Sequence, residues 1–460
     1  MRITILQKIV VAILTLSASI AMSRSSVALA NGPAVAGSRG VFGEGVIGDL
    51  VWELRANGGG CKHPGKPATW CDESDRSGIL SDMAIEDTMV DLIRSPRIRF
   101  VAVSYYAFGS PRVADALCEQ AASRQLQVSA ILQDWPVPRG AGSNGYKKIF
   151  ECAATTPNLN VVKLGGQGGI HHAKIFLASE SLDPFDPAMP DIKAKILVTV
   201  SSANLSHNGV GMHLENWLIM NGPASNAVLR SNWCYVKALP LLTDNRPAFH
   251  EAHSACLAKA QVNSDSSSEV DVTPSVVGVA PVQFIPMPAT KPAPKAIDAL
   301  LALIAGSRQS VKVAAHIFTA SRTARSGLVE ELIAASRRGV KVEILLDDNT
   351  EMAFRRLPGW QHLKVGSDDI DAVQKLLTSP VILRSVDTNE ATSQLHHNKF
   401  IIVDGHHLWT GSGNFTASSL AGRNTEQFYL IHDMAITAAF GRLWDHINAS
   451  AIPFGELAGN

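Results

Sequence analysis

The sequence predicts an α/β protein of two similar halves, each with a mixed, largely parallel sheet, packed about a pseudo-twofold axis. Three observations lead to this prediction. Segments typical of helices and strands alternate, their order returns after about 211–215 residues, and a segment rich in Ser, Pro and Val separates the two copies. Crossover connections through helices favour parallel pairing of the strands.

The composition is that of a folded chain with more than one core. It has 460 residues, of which 46% are hydrophobic and 18% are charged. This length allows two or three domains, and the low charge counts against extensive disorder. Lys and Arg together number 41, as do Asp and Glu. A net charge of zero gives no global electrostatic footprint for nucleic acid, although a local basic cleft remains open.

Residues 1–30 predict a secretory signal peptide, cleaved after Ala30. Arg2 and Lys8 precede about twelve mostly apolar residues, and the stretch ends in Ala28-Leu29-Ala30. A positive start, a short apolar core and an A-x-A site are the features of such a signal. The run is shorter than the roughly 20 apolar residues that a membrane span needs. We therefore expect a secreted or periplasmic protein.

The six cysteines agree with export. An even number in an exported protein favours disulfides, but several connectivities are open and the sequence does not choose among them. No C-x-x-C pattern is present, so zinc binding and thioredoxin-type chemistry lose support. Our hypothesis is that sequence neighbours pair: Cys61 with Cys71, Cys118 with Cys152, and Cys234 with Cys256.

The elements follow in the same order in the two halves, which we place at 79–260 and 296–455. Residues 31–78 predict a loop-rich extension, and 261–295 a linker with an extended segment. Between two such halves, an active site would lie at their junction. Each half is predicted to run helix, strand, helix, strand: 85–95, 98–106, 113–124 and 126–134 in the first, and 296–305, 311–318, 328–338 and 340–348 in the second.

A group of polar residues recurs beyond these elements. In a strand, His and Lys two positions apart lie on the same face, and the order His, Lys, Ser, Asn, Glu occurs once in each half. Two such copies are hard to obtain by chance. They are His172, Lys174, Ser202, Asn204 and Glu215 in the first half, and His397, Lys399, Asp404, Ser412, Asn414 and Glu426 in the second.

This pattern resembles that of the phospholipase D superfamily, HxKxxxxD followed by GSxN, which occurs twice per active site. The resemblance covers roughly residues 79–450. The second copy matches in full, whereas the first has Ser179 in place of the Asp and Ser201 in place of the Gly. The first copy is also longer, with residues 180–192 as a predicted loop. The family implies phosphodiester cleavage between two α/β halves, without a metal or cofactor.

The residue types suit this chemistry. Lys174 and Lys399 can neutralise the anionic oxygens of a phosphodiester, and Ser202, Asn204, Ser412 and Asn414 can donate hydrogen bonds to them. One imidazole can attack the phosphorus while the other protonates the leaving group. By resemblance, His172 is the nucleophile and forms a phosphohistidine, and His397 is the general acid.

Two further roles follow from the spacing. Glu215 and Glu426 are predicted to hold the far nitrogen of an imidazole, and the sequence leaves open whether each serves its own half. Asp404, which we count with the catalytic residues, follows Lys399 by five positions. A strand would point its side chain to the opposite face. We therefore interpret this Asp as a supporting group, and its replacement by Ser179 as tolerable.

Three functions remain open. The favoured one is an exported phospholipase D that acts on phospholipid headgroups, with peripheral contact to a membrane surface and a monomeric state. A secreted endonuclease of the same superfamily is less favoured, because phosphate contacts dominate nucleic-acid affinity and the chain carries no net charge. A degenerate first motif would instead leave a phosphatidyltransferase or an inactive binding protein.

Overall fold

The computed structural model describes residues 41–57, 84–123, 126–134, 144–165, 169–206, 209–210, 213–243, 245–262, 280–288, 296–319, 327–358, 360–363, 365–388 and 395–457. The predicted signal peptide, the pair Cys61–Cys71 and most of the predicted linker lie outside these residues. No described helix is both long and apolar enough to cross a bilayer.

The first half is built on an eight-stranded sheet with the order β1-β2-β8-β7-β6-β3-β4-β5. Its central strands β3 and β6 are buried along their whole length, which explains their continuous apolar sequences. The elements are β1 Val41–Ile47, β2 Leu50–Asn57, α1 Ala84–Arg94, β3 Phe100–Tyr105, α2 Pro111–Ser123, β4 Gln127–Gln133, α3 Asn144–Ala153, β5 Leu159–Leu164, β6 Lys174–Ser179, β7 Lys195–Ser201, β8 Glu215–Pro223, α4 Ala227–Ala238, a 3₁₀ helix Leu239–Thr243 and α5 Arg246–Val262.

The second half repeats this plan with the strand order β9-β15-β14-β13-β10-β11-β12-β16. The order of strands from β3 to β8 therefore returns as β10 to β15, which confirms the predicted repeat. The elements are β9 Val282–Met287, α6 Ala296–Ala305, β10 Ser310–Ala315, α7 Leu328–Arg337, β11 Lys341–Asp347, α8 Asp348–Arg355, a 3₁₀ helix Trp360–His362, α9 Ser367–Leu377, β12 Ile382–Val386, β13 Lys399–Val403, β14 His407–Gly411, α10 Ala417–Leu420, β15 Glu426–Ile431, α11 Met434–Asn448 and β16 Ala451–Pro453.

Both sheets are mixed, as predicted, but they are not largely parallel. In the first sheet, β3–β4 and β4–β5 pair in parallel, while the other five pairings are antiparallel. The second sheet has the same two parallel and five antiparallel pairings. The reason is that helical crossovers join just the parallel strands, whereas β6, β7 and β8 follow one another without a helix and so alternate in direction.

The region 31–78 is not wholly loop, because β1 and β2 form an antiparallel hairpin whose second strand pairs with β8. The predicted extended segment of the linker likewise contains β9, which pairs with β15. Each addition extends its own sheet, and the two edges, beside β8 and beside β15, are equivalent. The glycines of β1 conceal it in the sequence; Gly45 lies against Trp52, and a Cβ there would approach the indole to 2.9 Å.

The main core lies between the two halves. One continuous apolar cluster contains residues of β6 and β13, such as Ile175, Leu177, Phe400 and Ile402. Helices α4 and α11 contribute to the same cluster. A separate cluster covers the outer face of each sheet. The two halves are thus fixed to each other by buried apolar surface, and the ends of β6 and β13 meet at their junction.

Two of the three hypothesised cysteine pairs are confirmed as disulfides. Cys118 pairs with Cys152 at a Cα–Cα distance of 6.0 Å, and Cys234 pairs with Cys256 at 5.5 Å. The first connects α2 to α3, and the second connects α4 to α5. Both lie within the first half.

Candidate active site

The two His-x-Lys motifs enter the junction at the start of β6 and β13. Lys174 and Lys399 are the first residues of these strands, and each histidine lies two positions earlier in extended chain. All four side chains are buried, with the lysines at 0% and 1% exposure. The structure therefore brings the predicted residues of both halves into one site.

Each histidine is paired with the glutamate of the opposite half. Nδ1 of His172 lies 2.9 Å from Oε1 of Glu426, and Nδ1 of His397 lies 2.7 Å from Oε1 of Glu215. This settles the question that the sequence left open. A carboxylate at Nδ1 holds the neutral imidazole in the tautomer whose proton is on Nδ1, so that Nε2 keeps its lone pair for attack.

The same crossing occurs in the main chain. Short parallel bridges join His171 to Thr425 and Leu214 to His396. They orient both histidines because the backbone N–H groups of His172 and His397 are themselves hydrogen-bond donors. The bonds are His172 N to Thr425 O at 2.8 Å, Thr425 N to Ile170 O at 2.9 Å, Leu214 N to Leu395 O at 2.8 Å and His397 N to Leu214 O at 3.0 Å.

The predicted hydrogen-bond acceptor of the two motif serines is wrong. The hydroxyls of Ser202 and Ser412 donate to Glu215 and Glu426, and they accept the amide N–H of the residue after each glutamate. The cause is the sheet register, which places the end of β7 or β14 beside the start of β8 or β15. The serines thus position the carboxylates, which in turn position the imidazoles.

The predicted role of the motif asparagines as hydrogen-bond donors to the substrate stays a prediction. Oδ1 of Asn204 and Oδ1 of Asn414 are buried and have no hydrogen-bond partner among the described residues. Buried amide groups are rarely left in this condition without a ligand or water. An amide oxygen accepts hydrogen bonds, so the partner that these two atoms await is a donor, such as water or a hydroxyl group of a ligand, and not a phosphoryl oxygen.

Burial sets the protonation of the site. It lowers the pKa of Lys174 to about 8 and that of Lys399 to about 7, against the opposing effect of the two glutamates. It also lowers the pKa of His172, so that its imidazole is neutral at pH 7. Burial would raise the pKa of Glu426, but His172 and Lys174 outweigh it and hold this pKa at about 2. A neutral imidazole therefore faces an ionised carboxylate.

Asp404 does not belong with the catalytic residues. It follows the last residue of β13, and five residues of strand separate it from Lys399 by about 16 Å. Its carboxylate accepts the backbone N–H groups of Arg308, Gln309 and Ser310 at 2.7–2.9 Å. This Asp therefore fixes the turn before β10. Its replacement Ser179 accepts the N–H of Ser181 at 3.1 Å.

We predict that Asp404→Ala lowers stability more than catalysis. The change leaves three turn amides without their acceptor, which should cost about 1 kcal/mol or more. Turnover per folded molecule should change by less than roughly tenfold, or about 1.4 kcal/mol in activation free energy. Thermal unfolding and initial rates would measure the two effects. Ser179→Ala is the matched control, with a comparably small effect on turnover; a loss of several orders of magnitude in either variant would contradict this role.

The second departure of the first motif is also accommodated. Ser201 stands where the second half has Gly411, and its hydroxyl donates to Asn216 O and accepts from Ala203 N, both at 2.8 Å. These bonds lie within the turn that presents Ser202. The first motif is thus structurally complete despite both substitutions.

Sequence reasoning missed the residues that surround the histidines. The ring of Tyr106 lies 5.2 Å from that of His172, and the ring of His316 lies 4.7 Å from that of His397. Gln427 bonds both backbone groups of Lys174 across the junction. Aligning the two halves by their strands would have found Tyr106 and His316, because they occupy equivalent positions after β3 and β10.

The structure also brings together three residues that could hold a metal ion, which the sequence did not indicate. Among the described residues, His213, Glu215 and His397 each offer a ligand atom, and these three atoms lie within 4.8 Å of one another. His213 carries no spacing signal in the sequence. It joins the group because the chain bridge at Leu214 brings it beside His397.

Comparison with protein families supports the repeat. The family model described as "Cardiolipin synthase, PLD-like domain" matches residues 89–233 and 300–447. The chain is 35% identical over 120 residues to "Phospholipase D" of Rickettsia conorii, which covers 26% of this chain and 50% of that protein. It is 28% identical over 118 residues to "Cardiolipin synthase A" of Klebsiella pneumoniae, which covers 26% of this chain and 23% of that protein.

The chain spans about half the length of the Rickettsia phospholipases D that it matches. Among solved structures, phosphatidylserine synthase of Haemophilus influenzae aligns with a TM-score of 0.55 at 15% identity. The alignment covers 82% of this chain and 87% of that one. At this identity, the likeness concerns the fold, and it includes both halves.

Proposed function

Because the chain belongs to the phospholipase D-like family, whose model matches both of its halves, we propose that it is a phospholipase D that hydrolyses phospholipid headgroups. The family supports an enzyme that acts on phosphodiesters. The single observation that carries the proposal is the crossed pairing of His172 with Glu426 and of His397 with Glu215. It gives two oriented imidazoles beside two buried lysines.

In the first step, Nε2 of His172 attacks phosphorus. The P–N bond forms as the bond to the headgroup oxygen breaks, and His397 gives an Nε2 proton to that oxygen. Burial and the nearby lysines lower the pKa of His397 in the free site, so the imidazolium that this step needs forms when the bound phosphodiester anion offsets those effects. The negative charge that the phosphoryl oxygens retain is met by Lys174 and Lys399. Glu426 stabilises the positive charge that develops on His172.

In the second step, the now neutral His397 takes a proton from water. The hydroxide oxygen attacks phosphorus, and the P–N bond to His172 breaks. The products are phosphatidic acid and the free headgroup alcohol, and His397 is again an imidazolium. Two imidazoles with separate orienting carboxylates are what this exchange of roles requires.

The proposal is tested with two substrates. Phosphatidylcholine and phosphatidylethanolamine vesicles should release choline and ethanolamine, measured by mass spectrometry, whereas plasmid DNA should remain intact at the same enzyme concentration. Degradation of the plasmid without headgroup release would favour the endonuclease instead. Activity on neither substrate would contradict both proposals.

A phosphatidyltransferase is a second candidate, because the matching family model and one relative are named for cardiolipin synthase. The difference lies in the acceptor of the second step, which would be an alcohol rather than water. Assays in the presence of glycerol or phosphatidylglycerol would distinguish them by the ratio of transferred lipid to phosphatidic acid.

We propose in addition that the protein is exported and acts as a monomer. The two disulfides support export, because such bonds persist in oxidising compartments. The N-terminal sequence of the mature protein should begin after Ala30. Retention of residues 1–30 in the exported protein would contradict the predicted cleavage.

Catalysis should survive chelation. In the proposed mechanism the two lysines supply the positive charge that a metal ion provides in other phosphodiesterases. Initial rates in excess EDTA should equal or exceed those of the untreated enzyme. Loss of activity in EDTA, followed by recovery with a divalent ion, would contradict a metal-independent reaction.

A further inference from the structure

The two halves of the site differ beside their catalytic histidines. The pairing of β3 with β6 and of β10 with β13 makes Tyr106 the counterpart of His316. The bridges at Thr425 and Leu214 make Asn424 the counterpart of His213. His397 is therefore flanked by two further imidazoles, whereas His172 is flanked by a phenol ring and an amide.

The imidazoles around His397 converge on one carboxylate. Nδ1 of His213 lies 3.8 Å from Oε1 of Glu215, and Nδ1 of His397 lies 2.7 Å from the same oxygen. The rings of His213 and His397 are 5.7 Å apart. The ring of His316 lies 4.7 Å from that of His397, and its buried Nδ1 has no hydrogen-bond partner among the described residues.

From this cluster, and on the basis of the proposed function, we infer that His213, Glu215 and His397 form an inhibitory binding site for a transition-metal dication such as Zn²⁺. Two imidazoles and a carboxylate are the ligand types that Zn²⁺ accepts, at about 2.0–2.2 Å. The three ligand atoms lie within 4.8 Å of one another, so shifts of about 1 Å would bring them to such distances.

The metal would act on the general acid of the reaction. The metal would replace the proton on Nδ1 of the neutral imidazole, and that proton is released or moves to Nε2. In either form, Glu215 no longer stabilises an imidazolium, since its oxygen is bound to the metal. His397 then cannot alternate between donating a proton to the leaving group and accepting one from water.

The other half provides an internal control. Nδ2 of Asn424 donates to Glu426 at 3.3 Å and to Ser419 at the same distance. An amide nitrogen has no lone pair to offer to a metal, so the pair of His172 and Glu426 lacks the second nitrogen ligand. The site is thus predicted at one histidine of the two.

The test is direct titration of the full chain with Zn²⁺ by calorimetry, with phosphodiester hydrolysis measured in parallel. We expect one tight Zn²⁺ per chain and a loss of activity that follows its occupancy, reversed by EDTA. Mg²⁺ and Ca²⁺, which prefer oxygen ligands, should neither compete nor inhibit. The binding readout does not depend on activity, so failure of the proposed function would be seen separately.

The decisive variant is His213→Asn, which copies the residue of the other half. Its affinity for Zn²⁺ should fall by more than the roughly 10–100-fold that loss of an outer-shell partner costs, and its inhibition should fall in parallel. The control is His407→Asn, which disrupts the pair of His407 and His432 outside the site and should leave the tight binding intact. Equal Zn²⁺ affinity in His213→Asn and the unaltered protein, or full activity with the site occupied, would overturn the inference.

Discussion

Replacing His172 or His397 by Ala should lower turnover of a phospholipid by roughly three orders of magnitude or more, because in the proposed mechanism each imidazole performs a bond-making or proton-transfer step. The two variants should differ in the intermediate. Quenching in neutral denaturant, rather than in acid, which hydrolyses P–N bonds, should leave the phosphatidyl group on His172 of the unaltered enzyme, and it should find no label in His172→Ala. Mass spectrometry of the quenched protein would locate the phosphate.

A substrate with an activated leaving group separates the two roles. A nitrophenyl phosphodiester needs little protonation, so His397→Ala should still release a burst of nitrophenol and then accumulate phosphohistidine at position 172. His172→Ala should give no burst. If the label is instead found on His397 while His172→Ala stays active, the first motif is vestigial and the two-histidine mechanism is wrong.

The glutamate variants should show the crossed assignment in kinetics. Glu426→Gln keeps the size of the side chain but removes the charge that stabilises His172, so it should suppress the nitrophenol burst by roughly 10²–10⁴-fold. Glu215→Gln acts on His397, so it should spare the burst and slow the release of phosphate from the enzyme. Glu215→Gln would thus behave like His397→Ala, and Glu426→Gln would behave like His172→Ala.

Glu351 provides the matched control for these changes. It is as buried as the catalytic glutamates, and its carboxylate accepts from Arg355, Gly455 and Leu457 in the second half. Glu351→Gln should lower the melting temperature without changing the ratio of burst to steady-state rate. The crossed assignment would be refuted if Glu215→Gln abolished the burst and Glu426→Gln left it unchanged.

The sequence predicted which His and Lys residues belong to one candidate site because their spacing repeats. His172 and His397 are each followed by Lys, Ser, Asn and Glu in the same order, and this redundancy marks them without any structure. The partner of each imidazole was not predictable, since Glu215 and Glu426 lie at similar distances along the chain from their own histidines. The choice depends on how the halves dock.

Local patterns also misled the analysis in two places. Helix-strand alternation before β5 and β12 indicated parallel sheets, yet the site is built on the antiparallel strands that follow. The motif pattern placed Asp404 with Lys399, although a strand of five residues separates their side chains. In both cases the position of the residues depended on the course of the chain in three dimensions and not on which residues are neighbours in the sequence.

The crossed contacts have a consequence for the passage of substrate. Moving the halves apart would strip Glu215 and Glu426 of their imidazoles, break the bridges at Leu214 and Thr425, and expose the shared apolar core. A hinge motion between the halves would therefore be energetically steep. Under the proposed function, lipid would therefore reach the histidines, and the headgroup would leave them, without separation of the two halves. Substitution of residues that line this path should then alter the selectivity among headgroups without disturbing the pairing of the histidines with their glutamates.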